Sequence, residues 1–112
     1  MQLLLIVLNK IEKLDDILVK LMQQGFSGAT ILNSTGMIKT LAHTREDYPI
    51  FGTLRYLIDL DHEENKTIFM VLQDNQVETV KGIVRDVVGD LSLPDTAILF
   101  TLPVLSAEGI GF

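Results

Sequence analysis

The sequence contains no cysteine and no tryptophan, and only 3 of its 112 residues are proline. Without cysteine there is no disulfide framework, no thiolate nucleophile and no zinc site with sulfur ligands. Basic residues are also scarce, because 9 Lys and Arg stand against 15 Asp and Glu, which gives a net charge of −6. Binding to a nucleic-acid backbone requires a basic surface, so we expect no nucleic-acid partner.

The sequence also lacks an apolar run long enough to cross a bilayer. Its opening apolar run, residues 3–8, is short and is followed closely by Lys10, Glu12 and Lys13. No basic leader or small-residue cleavage site accompanies it, which argues against a signal peptide. We therefore expect a cytoplasmic protein that is not embedded in a membrane.

What the chain does have is a high apolar content for its size. At 112 residues, 47% of them hydrophobic and 21% charged, it is typical of one globular domain spanning residues 1–112. A lone domain of this size with so many apolar residues would expose a large apolar surface. This predicts that sheet faces or edges meet a partner chain.

Two stretches of the chain carry the same pattern 66 positions apart. Each is an apolar run, residues 3–8 or 68–72, followed by an asparagine and, three positions later, a glutamate: Asn9 with Glu12, and Asn75 with Glu78. This spacing is a variant of the capping box at a helix start. Apolar residues then recur at helical spacing, at positions 11, 14, 17, 18, 21 and 22 and at 77, 80, 83, 84, 87 and 88.

A β-rich run follows each predicted helix, at residues 27–33 and 96–104. Two strand–helix–strand halves predict an α+β fold of the ferredoxin-like, split βαβ kind (βαββαβ), a four-stranded antiparallel sheet with two helices on one face. Residues 36–65 show no sustained pattern and predict a long, functional loop between strands 2 and 3. Gly89 fits the C-terminal cap of the second helix.

Several short motifs, in this order along the chain, resemble the nitrogen-regulatory P-II signal proteins. They are residues 13–16 (KLDD), 25–30 (GFSGAT), Gly36, 56–60 (YLIDL) and 102–104 (LPV). The resemblance implies a ferredoxin-like homotrimer that senses a small effector, an adenine nucleotide in this family, in the clefts between subunits. It also implies that the 36–65 loop carries the signal to a target enzyme or transporter.

The resemblance assigns six ligand-binding residues and one residue open to modification. The ligand-binding residues are Gly28, Thr30, Gly36, Met37, Lys39 and Gly89, and the modification position is Tyr56. Each also has a plainer interpretation. Gly89 can be only a helix cap, Lys39 a solvated loop lysine, and Tyr56 a tyrosine packed at the loop base.

The chain departs from the family where phosphate is bound. The family's Gly-rich turn ends in a lysine, whereas the turn beginning at Gly89 leads to Ile98 at that position, and residues 105–112 contain no basic residue where the family has an Arg-x-Arg pair. Of the expected cations only Lys39 remains. The cofactor is therefore unknown, and an alternative function is a structural or partner-binding trimer that has lost nucleotide sensing.

The sequence gives little indication of an enzyme. Its only histidines, His43 and His62, lie in no metal-binding motif, and we predict no catalytic residue and no metal site. The acidic residues between positions 59 and 64 have oxygen ligands suited to a hard cation but are more typical of a solvated turn. A metal-tolerance trimer of the CutA kind, which shares the architecture and a Leu-Pro-Val strand, is a further alternative.

Overall fold

A computed structural model describes residues 1–44 and 64–111 of the chain, and within them the fold is α+β. The elements in order are β1 (Gln2–Leu8), α1 (Leu14–Gln23), β2 (Thr30–Ser34), α2 (Met37–Thr44), β3 (Asn65–Leu72), α3 (Val77–Val88) and β4 (Ala97–Pro103). Short 3-10 turns, Ile11–Lys13 and Asp74–Gln76, lead into α1 and α3. The two strand–helix–strand segments predicted from the sequence are confirmed.

The four strands form one antiparallel sheet in the order β2-β3-β1-β4, as the sequence predicted for strand number and direction. The apolar strand β1 is central. Its residue Ile6 is paired with Ile68 of β3 on one side and with Leu99 of β4 on the other. The shorter β2 pairs with only the first part of β3, from Asn65 to Phe69.

One face of the sheet is covered by α1 and α3. Because strand residues alternate between faces, Leu4, Ile6 and Leu8 of β1 point to this face together with their cross-strand partners. They form one buried core with residues of the neighbouring strands β3 and β4 and with the apolar stripes of the two helices. The strand residues are Ile68, Met70, Leu72 and Ala97, and the helix residues are Ile17, Leu21, Val77, Val80, Val84 and Val88. We call this the covered face.

The other face of the sheet is just as apolar but carries neither of these helices. We call this the open face, and it includes the polar residues Thr30, Ser34, Asn65 and Thr67. Its apolar residues are Leu3, Leu5, Val7, Leu32, Phe69, Val71, Ile98, Phe100 and Leu102. Its outer members are well exposed: Ile98 by 58%, Phe100 by 44% and Leu102 by 48%. This surface accounts for the apolar excess of the sequence.

The predicted asparagine caps are wrong. The residues that precede the two 3-10 turns are Lys10 and Gln73, and the backbone N–H of Gln73 donates to Gln76 Oε1 at 2.9 Å. Equivalent buried positions of the two helices, such as Ile17 and Val80, are 63 residues apart, whereas Asn9 and Asn75 are 66 residues apart. The two asparagines therefore do not occupy equivalent positions. Asn75 therefore lies inside a 3-10 turn and cannot cap the helix.

The loop predicted over residues 36–65 is wrong for its first part, because α2 follows Gly36 directly and adds a helix to the two that were predicted. The Gly36 carbonyl accepts hydrogen bonds from the Thr40 N–H at 3.0 Å and from Thr40 Oγ1 at 2.9 Å. The residues from Met37 to Thr44 include no glycine or proline, and Met, Lys, Leu and Ala all favour helix. Residues 45–63 lie outside the described part of the chain.

The second strand is shorter than the sequence predicted, since β2 begins at Thr30 and not at residue 27. The chain leaves α1 through Gly25, whose φ of +89° lies in the left-handed region that favours glycine. The Phe26 N–H then donates to the Leu21 carbonyl at 2.9 Å, and the Phe26 side chain packs against the core. Residues 27–29, which were expected to start the strand, instead connect this helix-ending turn to β2.

Candidate functional site

The two ends of the sheet provide the frame for the predicted site residues. At one end β1 and β2 finish while β3 and β4 begin, since Leu8 is paired with Lys66 and Ala97, and Ser34 with Asn65. We call this the loop end, because the 35–64 segment leaves and returns there. At the other end, the tail end, Gln2 is paired with Pro103 and with Leu72.

Three of the predicted ligand-binding residues lie at the loop end, in and before α2. Gly36 is half-buried and accepts the first hydrogen bonds of the helix. Met37 opens the helix and is 72% exposed, whereas Lys39 is half-buried within its first turn. The sequence thus places Gly36, Met37 and Lys39 on one short structural unit.

Gly89 also lies at the loop end, where it ends α3. Its N–H donates to the Arg85 carbonyl at 2.9 Å, and its φ of +83° with ψ of −144° is a conformation that glycine tolerates best. The predicted helix cap is confirmed. Lys10 reaches the same place from the end of β1, and its Nζ donates to the Val88 carbonyl at 3.1 Å.

Gly28 and Thr30 lie at the opposite end. Thr30 is the first residue of β2 and is paired with Phe69, so its side chain belongs to the open face. With Val71 and residues 109–111 they line a surface cleft of about 300 Å³, which adjoins a second cleft of about 300 Å³ between residues 25–28 and the end of β3. The C-terminal residues thus border the cleft that contains Gly28 and Thr30.

A single copy of the chain therefore does not bring the six predicted residues together. Gly36, Met37, Lys39 and Gly89 belong to the loop end, and Gly28 and Thr30 to the tail end, with the length of β2 between them. Tyr56, the predicted modification position, lies outside the described residues. A shared ligand site would need residues from two copies of the chain.

The turn after α3 carries negative charge but no lysine. The Asp90 carboxylate accepts hydrogen bonds from the N–H and Oγ of Ser92, at 2.9 and 2.7 Å, and these bonds lower the pKa of Asp90. Ile98, which the sequence resemblance would place at the position of a phosphate-binding lysine, is paired with Val7 and belongs to the open face. A cation at this turn has to come from elsewhere in the chain.

Sequence reasoning missed a group of polar residues at the loop end, on the same side of the sheet as the open face. Ser34, Asn65 and Thr67 lie on adjacent strands and Asn9 directly follows β1. Their side chains hydrogen-bond to one another, and Asn65 is buried. Only the register of β2 against β3 brings Ser34 to Asn65, so no local sequence signal marks this group.

Two kinds of site were sought among the described residues, clustered metal ligands and membrane-spanning helices. Across residues 1–44 and 64–111 no three His, Asp or Glu side chains come together as metal ligands. No helix in the same ranges is both long and apolar enough to cross a bilayer. Most of the acidic residues between positions 59 and 64 lie outside the described part of the chain.

Comparisons with known proteins add no relative to this picture. No protein-family model matches the sequence, and no curated protein is significantly similar to it.

Proposed function

We propose that the chain is a P-II-like regulatory protein that works as a homotrimer. It binds a small-molecule effector in the clefts between subunits and signals to a target protein through the segment between β2 and β3. The observation that carries this proposal is the open face. A continuous apolar sheet surface with Ile98, Phe100 and Leu102 about half exposed is typical of a protein–protein interface.

The sheet order supports the proposed architecture. In β2-β3-β1-β4 each half has two parallel strands with one strand of the other half inserted between them, which is the split βαβ plan. We propose that the fold is ferredoxin-like on this ground. The two βαβ units then put α1 and α3 on the covered face and leave the open face for assembly.

The distribution of the predicted ligand-binding residues supports sensing between subunits. Gly28 and Thr30 at the tail end and Gly36 and Lys39 at the loop end can contribute to one ligand site only if different copies of the chain supply them. An effector bound there would touch the start of α2, which leads directly into residues 45–63. A ligand that contacts this start in only one conformation would shift the population of that segment.

A second candidate function is a structural or partner-binding trimer without nucleotide sensing. It is favoured by Ile98, which belongs to the open face and offers interface area in place of a phosphate-binding lysine. Each missing charged hydrogen bond weakens binding by about 1.5–3 kcal/mol. We therefore expect ATP to bind more weakly than it would to a site with all its cations.

The test combines assembly with effector binding in two matched variants. Phe100→Asp puts a charge on the open face, midway along the edge strand β4, and Met22→Asp puts the same charge on α1, where Met22 is 69% exposed. Phe100→Asp should lower the mass by light scattering and abolish any ATP or ADP heat in calorimetry. Met22→Asp should change neither.

The outcomes separate the two candidates. A native trimer that gives no heat with ATP or ADP would favour the structural trimer. Full nucleotide binding by a monomeric Phe100→Asp variant would contradict sensing between subunits.

A further inference from the structure

The last described residues of the chain return to the open face after β4 has ended. The Val104 N–H donates to the Met1 carbonyl at 3.1 Å, which continues the pairing of β4 with β1 by one residue. Residues 109–111 then line a cleft with Phe69 and Val71, two residues of the open face. The tail therefore crosses the tail end of the sheet, from β4 on one side of β1 to β3 on the other.

The tail reaches β3 where this strand extends beyond β2. Because β2 pairs with β3 only from Asn65 to Phe69, the last residues of β3, 70–72, have no partner in β2. Residues 110 and 111 line the cleft beside them, together with residues 25–28. The tail thus closes one side of the space that the short β2 leaves beside β3.

Ile110 is the residue that attaches the tail. It borders both tail-end clefts together with Val71, and it is 38% exposed, whereas Leu105 in the same irregular tail is 98% exposed. Within residues 1–44 and 64–111, the bond from the Val104 N–H is the last hydrogen bond of the tail. Residues 105–111 are therefore held chiefly by the apolar contact of one side chain.

The surface beside the tail is continuous with the exposed part of the open face. Two cross-strand rows of apolar residues lead from β3 through β1 to β4: Phe69, Leu5 and Phe100, and Val71, Leu3 and Leu102. The β4 end of each row is about half exposed, and the β3 end borders the tail. A second copy that covers whole rows therefore meets the tail.

We propose that residues 105–111 form a strap that competes with a second copy of the chain for the open face. Docked through Ile110, the strap shields the β3 end of the apolar rows, and assembly displaces it. This role of the tail deepens the proposed function and rests on it for the identity of the assembly surface. Glu108 favours displacement, because a carboxylate held between two apolar sheet surfaces would lose its hydration without gaining a partner.

The expected size of the effect follows from the single anchor. Burial of most of one isoleucine side chain favours the docked strap by roughly tenfold. Only copies with a released strap are ready to assemble, and the apparent affinity falls by that fraction. Release of the strap should therefore strengthen assembly by about tenfold for each copy.

The test compares Ile110→Ser, which removes the anchor, with Leu105→Ser, which changes a nearly fully exposed residue of the same tail. Light scattering over a dilution series of the full chain measures the concentration at which half of the protein is assembled. Ile110→Ser should lower this concentration by roughly tenfold. Leu105→Ser should leave it unchanged.

A second measurement detects the docked strap in a single copy. In the Phe100→Asp variant, at concentrations that give the monomer mass, the methyl NMR signals of Val71 should shift on adding Ile110→Ser and stay in place on adding Leu105→Ser. Val71 signals that ignore Ile110→Ser would overturn the proposal, because the strap would not be docked.

The dilution series separates the strap from the proposed trimer. Assembly that is weakened by Ile110→Ser, or equal to that of the native chain, would overturn the strap while leaving the trimer in place. A native monomer that assembles only as Ile110→Ser would support the strap and contradict a native trimer. A chain that stays monomeric in every variant would overturn both.

Discussion

The two faces of the sheet are built from the same strands and are similarly apolar, yet they differ in what covers them. On the covered face Leu4, Ile6 and Leu8 are completely buried by α1 and α3. On the open face Ile98, Phe100 and Leu102 remain about half exposed. The comparison teaches that one face stabilises the fold of a single copy, while the other is available for assembly.

The largest loss of stability should come from a substitution on the covered face. Ile6→Ala removes a completely buried side chain and should lower the free energy of unfolding by about 2–5 kcal/mol, because it leaves a cavity in the core. Urea unfolding at a fixed protein concentration measures the change.

Val7→Ala is the matched control, one position further along β1 on the open face. In an isolated copy Val7→Ala should lower the free energy of unfolding by less than Ile6→Ala, because Val7 is only half-buried. Both substitutions should also be made in a monomeric variant such as Phe100→Asp. Equal losses of unfolding free energy there would mean that the open face is already covered within one copy.

A smaller loss of stability is expected from a substitution in the hydrogen-bonded polar group of Ser34, Asn65 and Thr67. Ser34→Ala leaves Asn65 Oδ1 and the Thr67 hydroxyl without their partner, which should cost about 1–3 kcal/mol because Asn65 is buried. Ser92→Ala removes a hydroxyl that donates to the exposed Asp90 carboxylate and should lower the free energy of unfolding much less. Thermal unfolding of the two variants would show whether this polar group contributes to stability. Equal melting temperatures would show that it does not.

The smallest change in stability and assembly should come from replacing the segment between α2 and β3. Within residues 1–44 and 64–111 every buried core residue lies in the strands, α1 or α3, and these elements pack on one another without a contribution from α2. We therefore expect that replacing residues 45–63 with a short Gly-Ser linker leaves unfolding cooperative and the assembly mass nearly unchanged. Circular dichroism and light scattering test this. A loss of cooperative unfolding would show that residues 45–63 belong to the fold.

The sequence predicted the parts of the fold that periodicity controls. The continuous apolar run of β1 and the 3.6-residue spacing of apolar residues in α1 and α3 are local signals, and the structure has these elements in the predicted order. The helix starts were mistaken because Asn9 with Glu12 and Asn75 with Glu78 match a capping pattern, whereas the chain enters each helix through a 3-10 turn. The eight residues of α2 were missed because they make only about two helical turns, a length over which apolar spacing is hard to distinguish from that of a loop.

The candidate site was less accessible to sequence reasoning. Gly89 could be placed because a helix-ending glycine is a local feature. That Lys10 reaches the Val88 carbonyl, or that Ser34 meets Asn65, depends on the packing of α3 against the sheet and on strand register. Residues that are far apart in the sequence carry no local signal of such contacts.

The measurement that tests the central claim most directly is the mass of the native protein by light scattering at micromolar concentration. If the open face is the assembly surface of a trimer, the mass should be about three times that of the 12.5 kDa chain. A sharp monomer mass of 12.5 kDa would contradict the account, because the apolar open face would then be exposed to water in the working protein.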